Sequence, residues 1–266
     1  MKFLSRRRKH RAARPLLLVL ALMVVGLAYT VATPQQTQAE TDKTQQIEKG
    51  QALFAVTCAS CHGLNGEGTT QAPSLIGVGA AAVDFQMGTG RMPAAIPQGQ
   101  LPSRTPIYTQ EQIDAVAAYV ASLGTGPGIP EEPQYSPEGL TAEEIARGGA
   151  LFRANCSACH GIVGGGGALP NGKYAPSLMD TSAVHVWEAM RTGPQQMPVF
   201  SQDVLKDSDV KEIVGYLNEA HSNPDFGGLN MGAAGPVSEG LWVFIVGIGG
   251  LSIVAGWIAK KGARAR

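Results

Sequence analysis

The stretch Lys49–Gly63, KGQALFAVTCASCHG, returns at Arg147–Gly161 as RGGALFRANCSACHG. The two align without a gap and together contain all four cysteines of the chain. Each ends in a C-x-x-C-H motif: Cys58, Cys61 and His62 in the first, Cys156, Cys159 and His160 in the second. That spacing sets two thiols on one turn of backbone, where both can bond to the vinyl groups of a porphyrin. The histidine that follows is then held under the iron as an axial ligand. Two matches with no cysteine left over predict two covalently bound haem c groups.

Two other chemistries use paired cysteines. A thioredoxin-like redox pair needs a βαβ setting and a low-pKa thiol, and no alternating β-branched run precedes either motif. A zinc site built from Cys58, Cys61, Cys156 and Cys159 would suit the pair spacing. It would leave His62 and His160 unexplained, although each directly follows the second cysteine of its pair.

The surroundings repeat with the motif, which makes the chain a tandem. Ala72-Pro73-Ser74-Leu75 matches Ala175-Pro176-Ser177-Leu178, and Met87 and Met92-Pro93 parallel Met190 and Met197-Pro198. A helical pattern around Tyr119 corresponds to one around Tyr216, and the offset between copies runs from 97 to 105 residues. The variation is expected to lie in loop lengths. Within each copy, Gly50 and Phe54, or Gly148 and Phe152, stand four apart on one helix face. Glycine there admits a second helix at close range while the phenylalanine fills the space beside it. The partner is the last helix of each copy, with Ile113, Val116, Ala117 and Val120, or Val210, Ile213, Val214 and Leu217, at three- and four-residue steps. Thr109 and Ser208 are expected as N-caps, and Gly124 as a stop. His221 is expected on the surface after the last helix, and His10 lies in a basic leader.

These features resemble class I cytochromes c: the G-x-x-x-F helix, C-x-x-C-H-G, a downstream Met-Pro pair and an aromatic on the final helix. In that family the methionine of the Met-Pro pair is the second axial ligand. The resemblance assigns Met92 to the first haem and Met197 to the second, beside His62 and His160. Met87 and Met190 are rivals, but both lack the proline and read as helical core residues. His185 is the other rival, and the first copy has no histidine to match it. Met/His ligation raises the potential and leaves no open iron site, so electron transfer is expected rather than oxygen activation. A dihaem peroxidase would need a displaceable ligand, which the paired Met-Pro segments oppose. A zinc-stabilised adhesion module would show no haem absorption.

Both ends of the chain are basic and apolar. Arg6-Arg7-Arg8-Lys9-His10-Arg11 precedes an apolar run from Leu16 to Val31, as in an export signal or signal anchor, with Ala39 as a possible cleavage point. Leu241–Ala259 has no charge, has Trp242 and Trp257 near its ends, and is followed by Lys260, Lys261, Arg264 and Arg266. Nineteen residues rise about 28 Å, close to the roughly 30 Å of a bilayer core. Interfacial tryptophans and helix-contact glycines suit that setting. The formal net charge of 0 conceals a segregation. Residues 1–14 and 260–266 hold eleven of the 21 Lys+Arg, while all 21 Asp+Glu lie between Glu40 and Glu239, leaving the middle at −11. Positive ends stay cytoplasmic, which puts the haem domains outside and the C-terminal tail inside. An acidic exterior favours basic protein surfaces, with salt-sensitive docking, and no nucleic acid.

The expected fold is therefore all-α: two tandem class I cytochrome c domains, an N-terminal signal or anchor, and a C-terminal transmembrane helix. The boundaries read as a leader at 1–40, a first domain at 41–123, a Gly/Pro-rich linker at 124–140 and a second domain at 141–222. A second linker at 223–238 leads to the membrane helix and tail at 239–266. Gly164–Gly167 reads as a flexible loop. The assembly resembles the dihaem cytochrome c subunit of the actinobacterial cytochrome bcc complex, a menaquinol–cytochrome c reductase and translocase. That resemblance implies a cytochrome b subunit, a Rieske iron–sulfur subunit and the copper-bearing subunit of a terminal oxidase as partners, with membrane lipid around the anchor. It implies no independent substrate chemistry at the haems. The alternative is the dihaem subunit of a haem-copper oxidase, or of another dehydrogenase on the outer side. The cbb-type oxidase family anchors from its N-terminal side and has no need of Leu241–Ala259.

Overall fold

The structure, a computed structural model, describes residues 12–222 and 236–264. The helices are α1 (Ala13–Thr57), α2 (Ala59–His62), α3 (Ala80–Gly88), α4 (Gln110–Ser122), α5 (Glu132–Tyr135) and α6 (Ala142–Asn155). They continue as α7 (Ser157–His160), α8 (Ala183–Thr192), α9 (Asp207–Ser222), α10 (Pro236–Val243) and α11 (Gly249–Arg264). Two strands, β1 (Gly167–Leu169) and β2 (Lys173–Ala175), form the one small sheet among the described residues. The chain divides into two compact units. One comprises Met1–Gly77 with Ile107–Thr125, the other Val78–Pro106 with Gly126–Arg266.

In the first unit α1 packs on α4. Thr109 caps α4 in a reciprocal capping box with Gln112, which satisfies backbone N–H groups that an open helix end would leave bare. Ile113, Val116, Ala117 and Val120 are all buried, the face that the 3.6-residue period predicts. A Cβ at Gly50 would collide with the backbone carbonyl of Ala115, so glycine is required for this approach. Phe54, 1% exposed, fills the neighbouring space with its ring 5.2 Å from that of Tyr119.

The second unit repeats the device with α6 and α9. A Cβ at Gly148 would meet the Glu212 carbonyl, and Phe152 lies 5.6 Å from Tyr216, ring to ring. Val210, Ile213, Val214 and Leu217 form the apolar core with Phe152, Trp187 and Met190. Thr141 and Glu144 make a capping box at the start of α6. In the same unit α3 packs against α8, its counterpart in the repeat.

Several expectations are corrected. The helix expected to start after Ser208 begins at Asp207, and Ser208 lies inside its first turn. The reaching side chain is Asp209, whose carboxylate accepts the Lys206 N–H at 2.8 Å. His221 is not beyond the last helix. It belongs to α9, and its Nε2 donates to the Val163 carbonyl at 2.8 Å, tying the helix to the loop after the second motif. The segment read as the flexible loop Gly164–Gly167 leads directly into a hairpin, with Gly167 opposite Ala175 and Leu169 opposite Lys173. A short helix, α5, sits within the stretch read as a linker.

The apolar ends are helical. Ala13–Val31, with mean hydropathy 2.0, and Gly240–Lys261, with 2.1, are long and apolar enough to cross a membrane, and neither is buried in protein. The first continues without a break into the helix that carries Gly50 and Phe54. The second contains a π-helical turn, Phe244–Ile248, beside its glycines. Residues 1–11, with the arginine cluster and His10, and 223–235, most of the second linker, fall outside the described residues, as do Ala265 and Arg266.

Candidate haem-binding sites

Both C-x-x-C-H motifs take the same form. Cys58 closes α1, its N–H donating to the Phe54 carbonyl at 2.8 Å, and Cys156 closes α6 on Phe152 at the same distance. Each is followed by a single turn, α2 or α7, which ends on the histidine. Gly63 (φ 82°) and Gly161 (φ 75°) then turn the chain through a conformation that side chains with a Cβ avoid. That requirement explains the glycine after each histidine.

The loop that follows is also shared. The Gly68 N–H donates to the His62 carbonyl at 2.7 Å, and Gly166 to His160 at 2.8 Å. Leu75 N–H reaches the Gly66 carbonyl and Leu178 N–H the Gly164 carbonyl, both at 2.7 Å. These bonds bring Ala-Pro-Ser-Leu back under the histidine. His62 Nδ1 lies 2.8 Å from the Pro73 carbonyl, and His160 Nδ1 lies 3.0 Å from that of Pro176. A carbonyl only accepts, so each Nδ1 carries the proton and donates. Each Nε2 therefore keeps its lone pair, as an iron ligand must, and the ring orientation is fixed from behind. Burial lowers the His160 pKa and so favours the neutral ring, outweighing the bond to Pro176, which raises it.

The second unit carries a cavity of about 660 Å³, within the roughly 300–1,000 Å³ usual for ligand sites. Cys156, Cys159, His160 and Met197 all line it, with Phe152 and Leu217 among the apolar walls. The structure thus brings the four expected groups of the second copy to one cavity. Burial pushes the Cys156 thiol up to about 11 and raises Cys58 as well, so both stay protonated. No disulfide forms within the pairs, and among the described residues no cysteine joins a cluster of three metal-donor side chains. The donor set, cavity and supported imidazole fit a covalently held haem.

In the first unit Cys58, Cys61 and His62 repeat the turn and the histidine support. Met92 belongs to the segment Val78–Pro106, which groups with the second unit, so its pairing with His62 rests on the repeat. Its N–H donates to the Gln86 carbonyl at 2.9 Å. The rivals Met87 and Met190 are buried on α3 and α8, at 5% and 2% exposure, as core residues. Met190 also reaches the wall of the second cavity. His185 turns its Nε2 toward Asp84 and Glu188, at 3.9 and 4.0 Å. Missed in the sequence were the carbonyls of Pro73 and Pro176. The repeated Ala-Pro-Ser-Leu marked the position, but a backbone acceptor has no residue-type signal.

A helix pair closing on C-x-x-C-H, duplicated, defines the class: a protein of two c-type cytochrome domains. The family described as cytochrome c matches residues 47–124, and that described as cytochrome C oxidase, cbb3-type, subunit III matches residues 143–217. A cytochrome bc1 complex cytochrome c subunit of Mycobacterium tuberculosis is 41% identical, covering 96% of this chain and 93% of its own. The corresponding protein of Corynebacterium diphtheriae is 39% identical over 98% of both. A cbb3-type cytochrome c oxidase subunit FixP of Bradyrhizobium diazoefficiens is 32% identical but covers 50% of this chain. The chain belongs to the family of cytochrome bc1 complex cytochrome c subunits.

Proposed function

We propose that this chain carries two covalently bound haem c groups and passes electrons, one at a time, through a membrane-bound quinol–cytochrome c reductase. Cys58 and Cys61 hold the first haem and Cys156 and Cys159 the second. His62 with Met92, and His160 with Met197, would bind the two irons. The observation that carries this reading is the matched support of the two histidines, Nδ1 to the Pro73 carbonyl and Nδ1 to the Pro176 carbonyl. When bound, haem supplies a one-electron iron couple, whose potential a thioether ligand raises.

The residues around the second cavity have three tasks. Phe152, Ile213 and Leu217 exclude water, which keeps the surroundings similar in both redox states. The Pro176 carbonyl holds the imidazole so that it need not reorient. The thiols fix the group in place, so the carrier does not exchange.

Electrons enter from the cytochrome b and Rieske subunits and leave to the copper-bearing subunit of a terminal oxidase. The complex acts as a translocase, to which this chain contributes electron transfer alone. Segregated charge supports the orientation: basic ends in the cytoplasm, acidic haem domains outside. The apolar helices Ala13–Val31 and Gly240–Lys261 serve as anchors, the first unless it is removed during export. The exit partner is tested by purifying a tagged full chain from native membranes and identifying subunits by mass spectrometry. Recovery of cytochrome b, Rieske and copper-bearing subunits is expected. Recovery with oxidase core subunits and no cytochrome b would favour the oxidase-subunit alternative.

A further inference from the structure

Beside the second cavity, whose wall includes His185, α3 and α8 hold a polar cluster between them. Asp84 comes from α3 and His185 and Glu188 from α8, and their donor atoms all lie within 4.8 Å of one another. Glu188 is 0% exposed, and neither of its carboxylate oxygens reaches a hydrogen-bond partner. His185 Nε2 faces both carboxylates from 3.9 and 4.0 Å, too far for a hydrogen bond to either. Its ring is held edge-on to Phe85 at 6.0 Å between centroids, and Gly88 leaves room for it. A Cβ at Gly88 would stand 2.9 Å from that same nitrogen.

Two carboxyls buried side by side either share a proton, as burial and Asp84 favour by pushing Glu188 up to about 10, or hold a positive charge between them. Burial lowers the His185 pKa, and the nearby Arg91 guanidinium lowers it further against the pull of Asp84, so the imidazole does not supply that charge. It offers a lone pair instead. Donors about 2.0–2.2 Å from a tetrahedral zinc stand roughly 3.3–3.6 Å apart, a few tenths of an ångström inside the 3.9 and 4.0 Å from His185 Nε2 to the two carboxylates. One imidazole and two carboxylates are a nitrogen and oxygen set suited to zinc and its neighbours among the divalent metals.

We propose that Asp84, His185 and Glu188 form a binding site for one divalent transition cation, which joins α3 to α8. The two helices are counterparts in the repeat, so the ion fastens the segment carrying Met92 to the helix carrying Met190. It takes no part in the redox chemistry.

The test uses the full-length, haem-loaded protein, stripped with a chelator and dialysed against micromolar zinc. Elemental analysis should find one zinc per chain beside the haem iron. Asp84→Asn and Glu188→Gln should each weaken zinc binding at least tenfold, with the iron content and Soret band unchanged. X-ray absorption at the zinc edge of the unaltered protein, which needs no variant, should show a nitrogen and oxygen shell at about 2.0–2.1 Å with one imidazole. Absence of retained zinc, a sulfur in its shell, or unchanged binding in both variants would overturn the assignment. Haem content is read separately, so failure here leaves the electron-transfer reading intact.

Discussion

Two side chains set the properties of the second unit, Met197 at the cavity and Asp207 at the start of α9. Met197 shares the cavity with His160, and a thioether favours ferrous iron more than an imidazole does. Met197→His should therefore lower the potential of one haem and leave the other unchanged, as read in a redox titration of the full chain. The weak long-wavelength band of methionine-ligated iron should fall by about half. An unaltered titration would move the ligand to Met190. Asp207 accepts from Trp187 Nε1 at 2.8 Å and from Arg191 at 2.7 Å, and also from Gln134 and Gln202. Burial pushes its carboxyl up, but the donors from Gln134, Arg191 and Trp187 together outweigh it and hold the pKa below the ordinary value. A lowered folded-state pKa gives stability that is complete above the unfolded value of about 3.9 and lost as pH falls through the lower one. Thermal melts from pH 6 down to pH 2 should show the Asp207→Asn protein losing less stability than the original in the last two units. Parallel losses would mean that Asp207 ionises no more readily in the folded state than in the unfolded chain.

Helices α6 and α9 meet where Gly148 faces the Glu212 carbonyl. Gly148→Ala must push the helices apart or bend one, and overpacking of this kind costs about 1–3 kcal/mol. A lower melting temperature with haem still attached is the expected result; an unchanged one would mean the contact is loose. This glycine was legible from sequence because it recurred four residues before a phenylalanine in both copies. The hairpin β1–β2 was not. Four residues, 69–72, separate Gly68 from Pro73, and nine, 167–175, separate Gly166 from Pro176. The five-residue difference was visible as an offset, yet nothing in Gly-Ala-Leu or Lys-Tyr-Ala is long enough to announce a strand. Two strands of three residues are marginal by themselves. Replacing Gly167–Ala175 with Thr-Thr-Gln-Ala from the first copy should cost under about 1 kcal/mol, since loop length enters only weakly. Haem should still attach, because the Pro176 carbonyl keeps its place behind His160. Loss of the second haem in that variant would give the hairpin a role in the site itself.

Across the whole molecule, duplication made the chain readable. A motif seen once suggests a ligand, whereas the same motif with the same return loop, helix pair and methionine-proline pair specifies a domain. What the repeat could not convey was the grouping of Val78–Pro106 with the second unit. That follows from α3 and α8 packing together, through Asp84, Phe85 and His185, and such a contact leaves no periodic trace in either helix. The ends were legible for a different reason, since long uncharged runs bounded by basic residues have few uses besides a bilayer. The most direct test of the account is the haem content of the full chain, by pyridine haemochrome against protein mass, with and without Cys58→Ala and Cys61→Ala. Two haems per chain, falling to one with the remaining haem on the peptide that holds Cys156 and Cys159, is the predicted result. A single haem in the unaltered protein, or loss of both on removing one pair of thiols, would contradict two independent sites.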